Sequence, residues 1–385
     1  MLNRIYPYFT RYKISPAIII VLFVLITTIA LWLPFLLRLP NWFGLKIENS
    51  NFLYVYKHYD GPLYIVPAKT LYQPNLIDAL HIDIKFPAKY FAAHLPLYPA
   101  FILLFSPIFG YLKSMVGVNL LATVLLALFF YYFIKKFKFT QHSLILTLVF
   151  LMLPRFLIVR SVGAPESLFL LFILISIFFF EKKNYLMAGL LGGLATMTKT
   201  PGILLFGAYG LTIIEEWFRL KKITFNWKWL FLGFIPLGLL TVFVIYGIQY
   251  KDFFAYFHSG DNLHLVAPFA VFNFQKNWVG TPWLEDILFY FFIYVFALIN
   301  LKDIKQRSIL YFGLVFFIAT TFVQHRDIAR YSLPLWPLAC IAFEKFFTSK
   351  KFLIILIILL PAIYMYGWNF MLSNVMPIGE WQPFL

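Results

Sequence analysis

Residues Ile14 to Leu37 read ISPAIIIVLFVLITTIALWLPFLL, with no charged side chain among them. As a helix this stretch spans roughly 36 Å, enough for the ~30 Å hydrocarbon core of a bilayer. Arg4, Arg11 and Lys13 precede it. The apolar region of a cleavable leader is shorter, roughly 7–15 residues. The stretch therefore reads as a retained first membrane helix with its N-terminus in the cytoplasm. The remaining composition agrees: 385 residues, 62% apolar and only 12% charged, with mean hydropathy +0.81. An ordinary soluble domain carries about 25% charged residues, and one of this size has too little interior to hide so much apolar surface. The chain is thus expected to be an integral membrane protein. Its net charge of +16 does not point to nucleic acid. No nucleic-acid motif accompanies it, and Lys and Arg in membrane proteins collect at cytoplasmic helix ends and near anionic headgroups. Cys340 is the sole cysteine, which excludes an intramolecular disulfide and any multi-cysteine metal site.

Further apolar runs cover about 115–134, 141–158, 166–180, 185–199, 201–217, 229–249, 284–301, 307–324, 329–347 and 352–370. Basic clusters fall on alternate connections: Lys135, Lys136 and Lys138; Lys182 and Lys183; Arg219, Lys221, Lys222 and Lys228; Lys302, Lys305 and Arg307; Lys345, Lys350 and Lys351. The positive-inside rule puts these in the cytoplasm. The expectation is an all-α polytopic protein of the cell membrane with about eleven transmembrane helices and an external C-terminus, 1–385 forming one membrane-embedded domain. Residues 95–112 are apolar but hold Pro96, Pro99 and Pro107, and a full crossing there would invert every later basic turn. They read as juxtamembrane or re-entrant. The external face then carries a first loop, 38–114, with juxtamembrane helices, and a second, 250–283.

Candidate chemistry sits on that face. In His58-Tyr59-Asp60-Gly61-Pro62-Leu63-Tyr64, an acid lies among aromatics just before a Gly-Pro turn, partly desolvated and set on a rigid corner as a general base requires. A solvated loop Asp that caps its own backbone is the ordinary alternative. Glu166 opens a helix after Pro165, where the helix dipole alone would favour an acid. Lys199, before Pro201-Gly202 at a tight turn, is placed either to hold a lipid phosphate or to snorkel. Arg326 and Arg330, four apart, would share a helix face as a phosphate clamp needs, unless Asp327 takes them into a structural ion-pair network. The pairs His58/Asp60 and His81/Asp83 and the set His258/Asp261/His264 use plausible metal ligands, but nothing matches H-E-x-x-H or an acid-pair motif, and no phosphate-cradling Gly-rich loop is present. No metal or other cofactor is expected.

Five blocks in order resemble the GT-C superfamily of polytopic glycosyltransferases, which use polyprenyl-phosphate sugars, and within it the PIG-V-type mannosyltransferases and their prokaryotic relatives. HYDGPLYIVPAKTLY (58–72) looks like that family's first-loop block and HLPLYPAFI (94–102) like its F-P-L-Y-P block. GAPESLFLLF (163–172) is similar to its S-E-S-L-F block, YLMAGLLGGLATMTKTPGILL (185–205) to its A-G-L-x-x-G-L-A-x-x-T-R-P-x-G block, and RDIARYSLPLWPL (326–338) to its late R-Y-x-x-P-x-x-P block. Lys199 stands where the family has Arg, the usual Trp before the first-loop acid is absent, and the first loop is longer.

The resemblance implies an inverting transfer of a hexose such as mannose from a polyprenyl-phosphate donor to a hydroxyl of a lipid, glycan or protein acceptor at the external face. It makes Asp60 the catalytic base, with Lys199, Arg326 and Arg330 on the donor phosphate. It also assigns substrate positioning to Glu166, His58, Tyr64, His94, Tyr98 and Tyr331. The rival expectation is a polytopic transporter or glycolipid flippase. Its charges would be expected near mid-membrane rather than at the external face.

Overall fold

The computed structural model describes residues 15–48, 51–83, 86–260, 265–273 and 280–385. Arg4, Arg11 and Lys13 lie outside them. Helix dominates. The first, α1 (Pro16–Leu36), begins where the Ser15 side chain accepts from the Ala17 N–H and Pro16 occupies the first turn. One small hairpin corrects the all-α expectation: β1 (Asn41–Trp42) pairs antiparallel with β2 (Leu45–Lys46). Its two turn residues, Phe43 and Gly44, both have positive φ (47° and 82°), as the tightest hairpin turns require. Trp42 packs edge-on against Trp368, with ring centroids 5.2 Å apart.

The first loop continues through short helices at Leu53–Tyr56, Ile65–Thr70 and Pro74–Ala79. Residues 95–112 contain α2 (Leu97–Phe109), 13 residues long. At about 20 Å it is too short to cross a bilayer alone. Gly110, at φ 76°, ends it, and α3 (Tyr111–Lys136) starts at once and packs alongside. The expected run 141–158 is broken into α4 (Ser143–Phe150) and α5 (Pro154–Val159), because Pro154 has no N–H to continue the ladder. There follow α6 (Glu166–Glu181), α7 (Tyr185–Thr198), α8 (Leu204–Leu220), α9 (Phe234–Tyr250), α10 (Gly280–Asn300) and α11 (Arg307–Thr321). The expected run 329–347 is also broken, around Pro334 and again at Phe343, into α12 (Ile328–Tyr331), α13 (Trp336–Ala342) and α14 (Glu344–Phe347). Last comes α15 (Lys350–Ser373). Among the described residues five helical stretches are long and apolar enough to cross a membrane: Pro16–Leu36, Tyr111–Lys136, Trp227–Tyr250, Trp283–Asn300 and Lys350–Ser373. This is the make-up of a helical, multi-span membrane protein.

Two features of the packing place the site. First, α7 lies very close to α9. A Cβ at Gly189 would fall 2.0 Å from the Phe231 carbonyl oxygen, one at Gly193 2.6 Å from that of Phe234, and one at Gly238 2.5 Å from that of Gly193. Small residues thus let the two backbones touch. Second, the basic turns share one edge. A groove joins Lys138 to Lys345, Lys182 lies over the Phe137 ring, Glu181 accepts from Ser308, and Arg307 pairs with Glu215. From that edge α6 and α7, of 16 and 14 residues, run to Glu166 and Lys199, both beside one cavity. Basic turns and cavity therefore occupy opposite ends of the same helices, about 20–24 Å apart.

Candidate active site

The cavity measures about 920 Å³. Asp60 reaches it through an unusual piece of chain. Tyr59 adopts left-handed backbone (φ 53°), and Asp60 then leads a 3-10 turn, Gly61–Tyr64. A Cβ on Gly61 would sit 2.8 Å from the Gly163 carbonyl oxygen, so only glycine lets this turn lie against the loop before α6. The Asp60 carboxylate caps no backbone N–H. It lines the cavity, 40% exposed, with Oδ2 3.7 Å from Arg330 Nη1. The self-capping half of the ordinary alternative is thus absent, while the carboxylate remains open to solvent.

Glu166 is not a solvated helix-start acid. Its side chain is 3% exposed, and Oε1 alone accepts from Lys199 Nζ at 2.8 Å and from Arg330 Nε at 2.7 Å. Lys199 is delivered by extended backbone at the end of α7, just before the Pro201-Gly202 turn. A Cβ on Gly202 would meet the Thr196 nitrogen at 2.5 Å. Asp60, Arg330, Glu166 and Lys199 thus form one continuous run of alternating charge, in which Glu166 lies behind the wall and the other three line the cavity.

Arg326 and Arg330 both line the cavity but share no helix face, because α12 begins only at Ile328. Arg326 lies over the Trp283 ring at 5.4 Å, and Arg330 over that of Tyr59 at 4.4 Å. Asp327 instead forms an ion pair with Arg155, a residue the sequence did not single out. Arg155 is almost wholly buried, stacked on Phe370 at 4.0 Å and near the Tyr59 ring at 5.3 Å. A lone Arg in an apolar run beside a proline was the available signal. Tyr59 shows how the strain is borne. A left-handed backbone costs a bulky residue about 1–3 kcal/mol. Two cation–π contacts, roughly 0.5–2 kcal/mol each, offset it.

Of the positioning residues the resemblance suggested, Tyr64, His94 and Tyr331 line the cavity, while His58 and Tyr98 are fully buried behind the wall. Tyr98 donates to the Met115 carbonyl at 2.6 Å and meets the Tyr64 ring edge-on at 5.1 Å; the His58 ring lies 4.3 Å from that of Tyr59. His58 and Tyr98 therefore pack behind Tyr59 and Tyr64 and do not face the cavity. Burial pushes His94 down to about 4; burial, with Arg155 nearby, pushes His58 down to about 3. Both are neutral at physiological pH. Another part of the lining, unmarked in the sequence reading, comes from Trp283, Asp286, Tyr366, Asn369 and Ser373. The last three lie three and four residues apart on α15, so they share one face.

Among the described residues no group of three or more His, Cys, Asp or Glu is placed to hold a metal. Asp261 and His264 lie outside them. Asp83 is engaged elsewhere, accepting from the Gly379 and Glu380 N–H groups. No known family model matches this chain, and no curated protein matches its sequence.

Proposed function

We propose that the protein is an inverting membrane glycosyltransferase of the GT-C type. In this reading about eleven segments cross the membrane, the shorter and broken helices included, the N-terminus is cytoplasmic, and the cavity, the first loop and the C-terminus are external. The donor is a polyprenyl-phosphate hexose such as mannose, and the acceptor is a hydroxyl of a lipid, glycan or protein. Asp60 takes the hydroxyl proton as that oxygen attacks the anomeric carbon. The bond from that carbon to the phosphate oxygen breaks, and the polyprenyl phosphate leaves with the electron pair. Lys199 and Arg330, with Arg326 on the same lining, meet the negative charge that develops on it. Glu166 holds the first two cations in place.

What carries this reading is the meeting of Asp60, Lys199 and Arg330, from three separate segments, at one cavity at the end of the bundle opposite the basic turns, with Glu166 holding the two cations from behind. Ionisable groups are costly in so apolar a chain and are kept where chemistry uses them. Trp283, Tyr366 and Asn369 add an aromatic and amide surface suited to a sugar ring. The test is to incubate purified protein with radiolabelled polyprenyl-phosphate mannose, glucose and arabinose and candidate acceptors. Transfer is expected from one donor, with Asp60→Asn binding that donor but transferring at least ~100-fold more slowly. Near-normal transfer by a well-folded Asp60→Asn variant would remove Asp60 from the role.

A further inference from the structure

Tyr59 lines the cavity next to Asp60, and the proposed chemistry gives it no role. Its backbone is left-handed (φ 53°) in a side chain that gains nothing from that conformation, and it immediately precedes Asp60. The ring is 6% exposed, and two guanidinium groups lie over it, Arg155 at 5.3 Å and Arg330 at 4.4 Å. Each guanidinium is itself fixed by a carboxylate, Arg155 by Asp327 and Arg330 by Glu166. The Tyr59 N–H donates to the Asn374 carbonyl at 3.3 Å, which ties this corner to the segment after α15. The hydroxyl is buried and makes no hydrogen bond among the described residues, so the ring is the part in use.

We propose that Tyr59 is the positioning residue for Asp60. Its ring, gripped by Arg155 and Arg330, holds the left-handed turn that presents the Asp60 carboxylate to the cavity. This assignment rests on the glycosyltransferase reading for its catalytic consequence, though not for its geometry. Any side chain with an aromatic face should serve; one of similar bulk without a ring should let the turn relax. Arg330, held by Glu166 through Nε, would keep its place while the Asp60 carboxylate moved relative to it.

Two readouts test it. In transfer assays Tyr59→Phe should stay within about threefold of the parent. Tyr59→Leu should lose roughly 10²-fold in kcat, the cost of a reacting group displaced by an ångström, with donor KM little changed. In an Asp60→Asn background Tyr59→Leu should cost nothing more, since the two residues act as a unit. A leucine variant with parental kcat, or a double variant clearly worse than Asp60→Asn alone, would overturn the proposal. The second readout needs no activity: carboxylate labelling by a water-soluble carbodiimide and an amine, read by mass spectrometry as the ratio of Asp60 to Asp78, a reference on the same loop. That ratio should change severalfold in Tyr59→Leu and not in Tyr59→Phe. An unchanged ratio in the leucine variant sinks the idea even if the parent protein transfers no sugar, a result that would by itself dispose only of the glycosyltransferase reading. Tyr59→Met, an unbranched ringless side chain, replaces the leucine variant in both assays if that one does not fold.

Discussion

One oxygen of Glu166 holds both Lys199 and Arg330, whose side chains are 19% and 10% exposed. Removing it leaves two poorly solvated cations facing each other, so Glu166→Ala should lower stability by about 3–5 kcal/mol, the cost of orphaning buried charge. Glu166→Gln, which keeps an accepting oxygen, should cost less and weaken donor binding more than it lowers the thermal midpoint. Arg330→Lys should not restore donor binding, because Arg330 reaches Glu166 through Nε and Asp60 through Nη1, a fork that lysine lacks. Donor affinity equal to the parent's in both variants would exclude the phosphate role. A pH effect follows from His58 and His94, pushed down to about 3 and about 4 from the ordinary 6.5. Their folded forms resist protonation, so the unfolded chain binds more protons below pH 6.5. The stability they contribute is complete above 6.5 and is lost as pH falls towards 4 and then 3. By pH 5 the loss should be about 2 kcal/mol per histidine. Thermal midpoints taken from pH 7 to 5 should fall, and His58→Gln with His94→Gln should flatten that fall; an equally steep fall in the double variant would contradict it. Asp60, Glu166, Lys199 and Arg330 stood out in the sequence because charge is rare and expensive in such a chain. Arg155 carried the same signal, a charge in an apolar run, but its partner Asp327 is far off in the chain, and Tyr59 depends on a backbone angle that leaves no trace in local spacing.

Helices were legible where apolar runs met a cap or a glycine, as at Ser15 and Pro16 for α1 and at Gly110 between α2 and α3. They were misjudged where an apolar run contains a proline that the backbone uses to turn, as at Pro154 and Pro334, because hydropathy averages across the break. The β1–β2 hairpin escaped notice for a similar reason. It rests on two residues at positive φ rather than on any alternation of apolar and polar positions. Contact between α7 and α9 depends on glycines spaced four apart at 189 and 193, a pattern visible in the sequence but without a partner until α9 is placed beside it. Gly193→Ala puts a methyl 2.6 Å from the Phe234 carbonyl oxygen, so α7 must shift. Overpacking of this kind costs roughly 1–3 kcal/mol, and the shift should move Lys199 at the end of α7. The expected outcome is a lower thermal midpoint together with weaker donor binding. Gly210→Ala is the control: nothing lies within 4 Å of its added Cβ, and alanine favours helix by about 1 kcal/mol, so midpoint and binding should hold or improve. Equal behaviour of the two variants would deny that α7 packing positions the site.

At the scale of the whole molecule, charge and cavity are segregated along the helix axes, and this makes the orientation testable without knowing any substrate. For the edge that gathers Lys138, Lys182, Arg307 and Lys345 the positive-inside rule predicts the cytoplasm, and the expectation for the cavity is then the outside. The tail after α15 lies on the cavity side. Val375 pairs with His58, Met376 N–H donates to the Lys57 carbonyl, and Lys69 donates to the carbonyls of Pro383 and Leu385. First loop and tail must therefore emerge on the same face, whichever face that is. The lone cysteine, Cys340, is buried, so background labelling should be low. Single cysteines in place of Asn75 in the first loop and of Glu380 in the tail, both exposed, should react with a membrane-impermeant maleimide on intact cells. Cysteines in place of Lys136 and Lys222, also exposed, should react only after permeabilisation. The reverse pattern would invert the protein and put the cavity in the cytoplasm, out of reach of a donor presented outside. Labelling of 75 but not 380 would instead separate the tail from the first loop, contradicting the hydrogen bonds that join them. Labelling of both 75 and 136 on intact cells would break the separation of basic edge and cavity on which the external site depends.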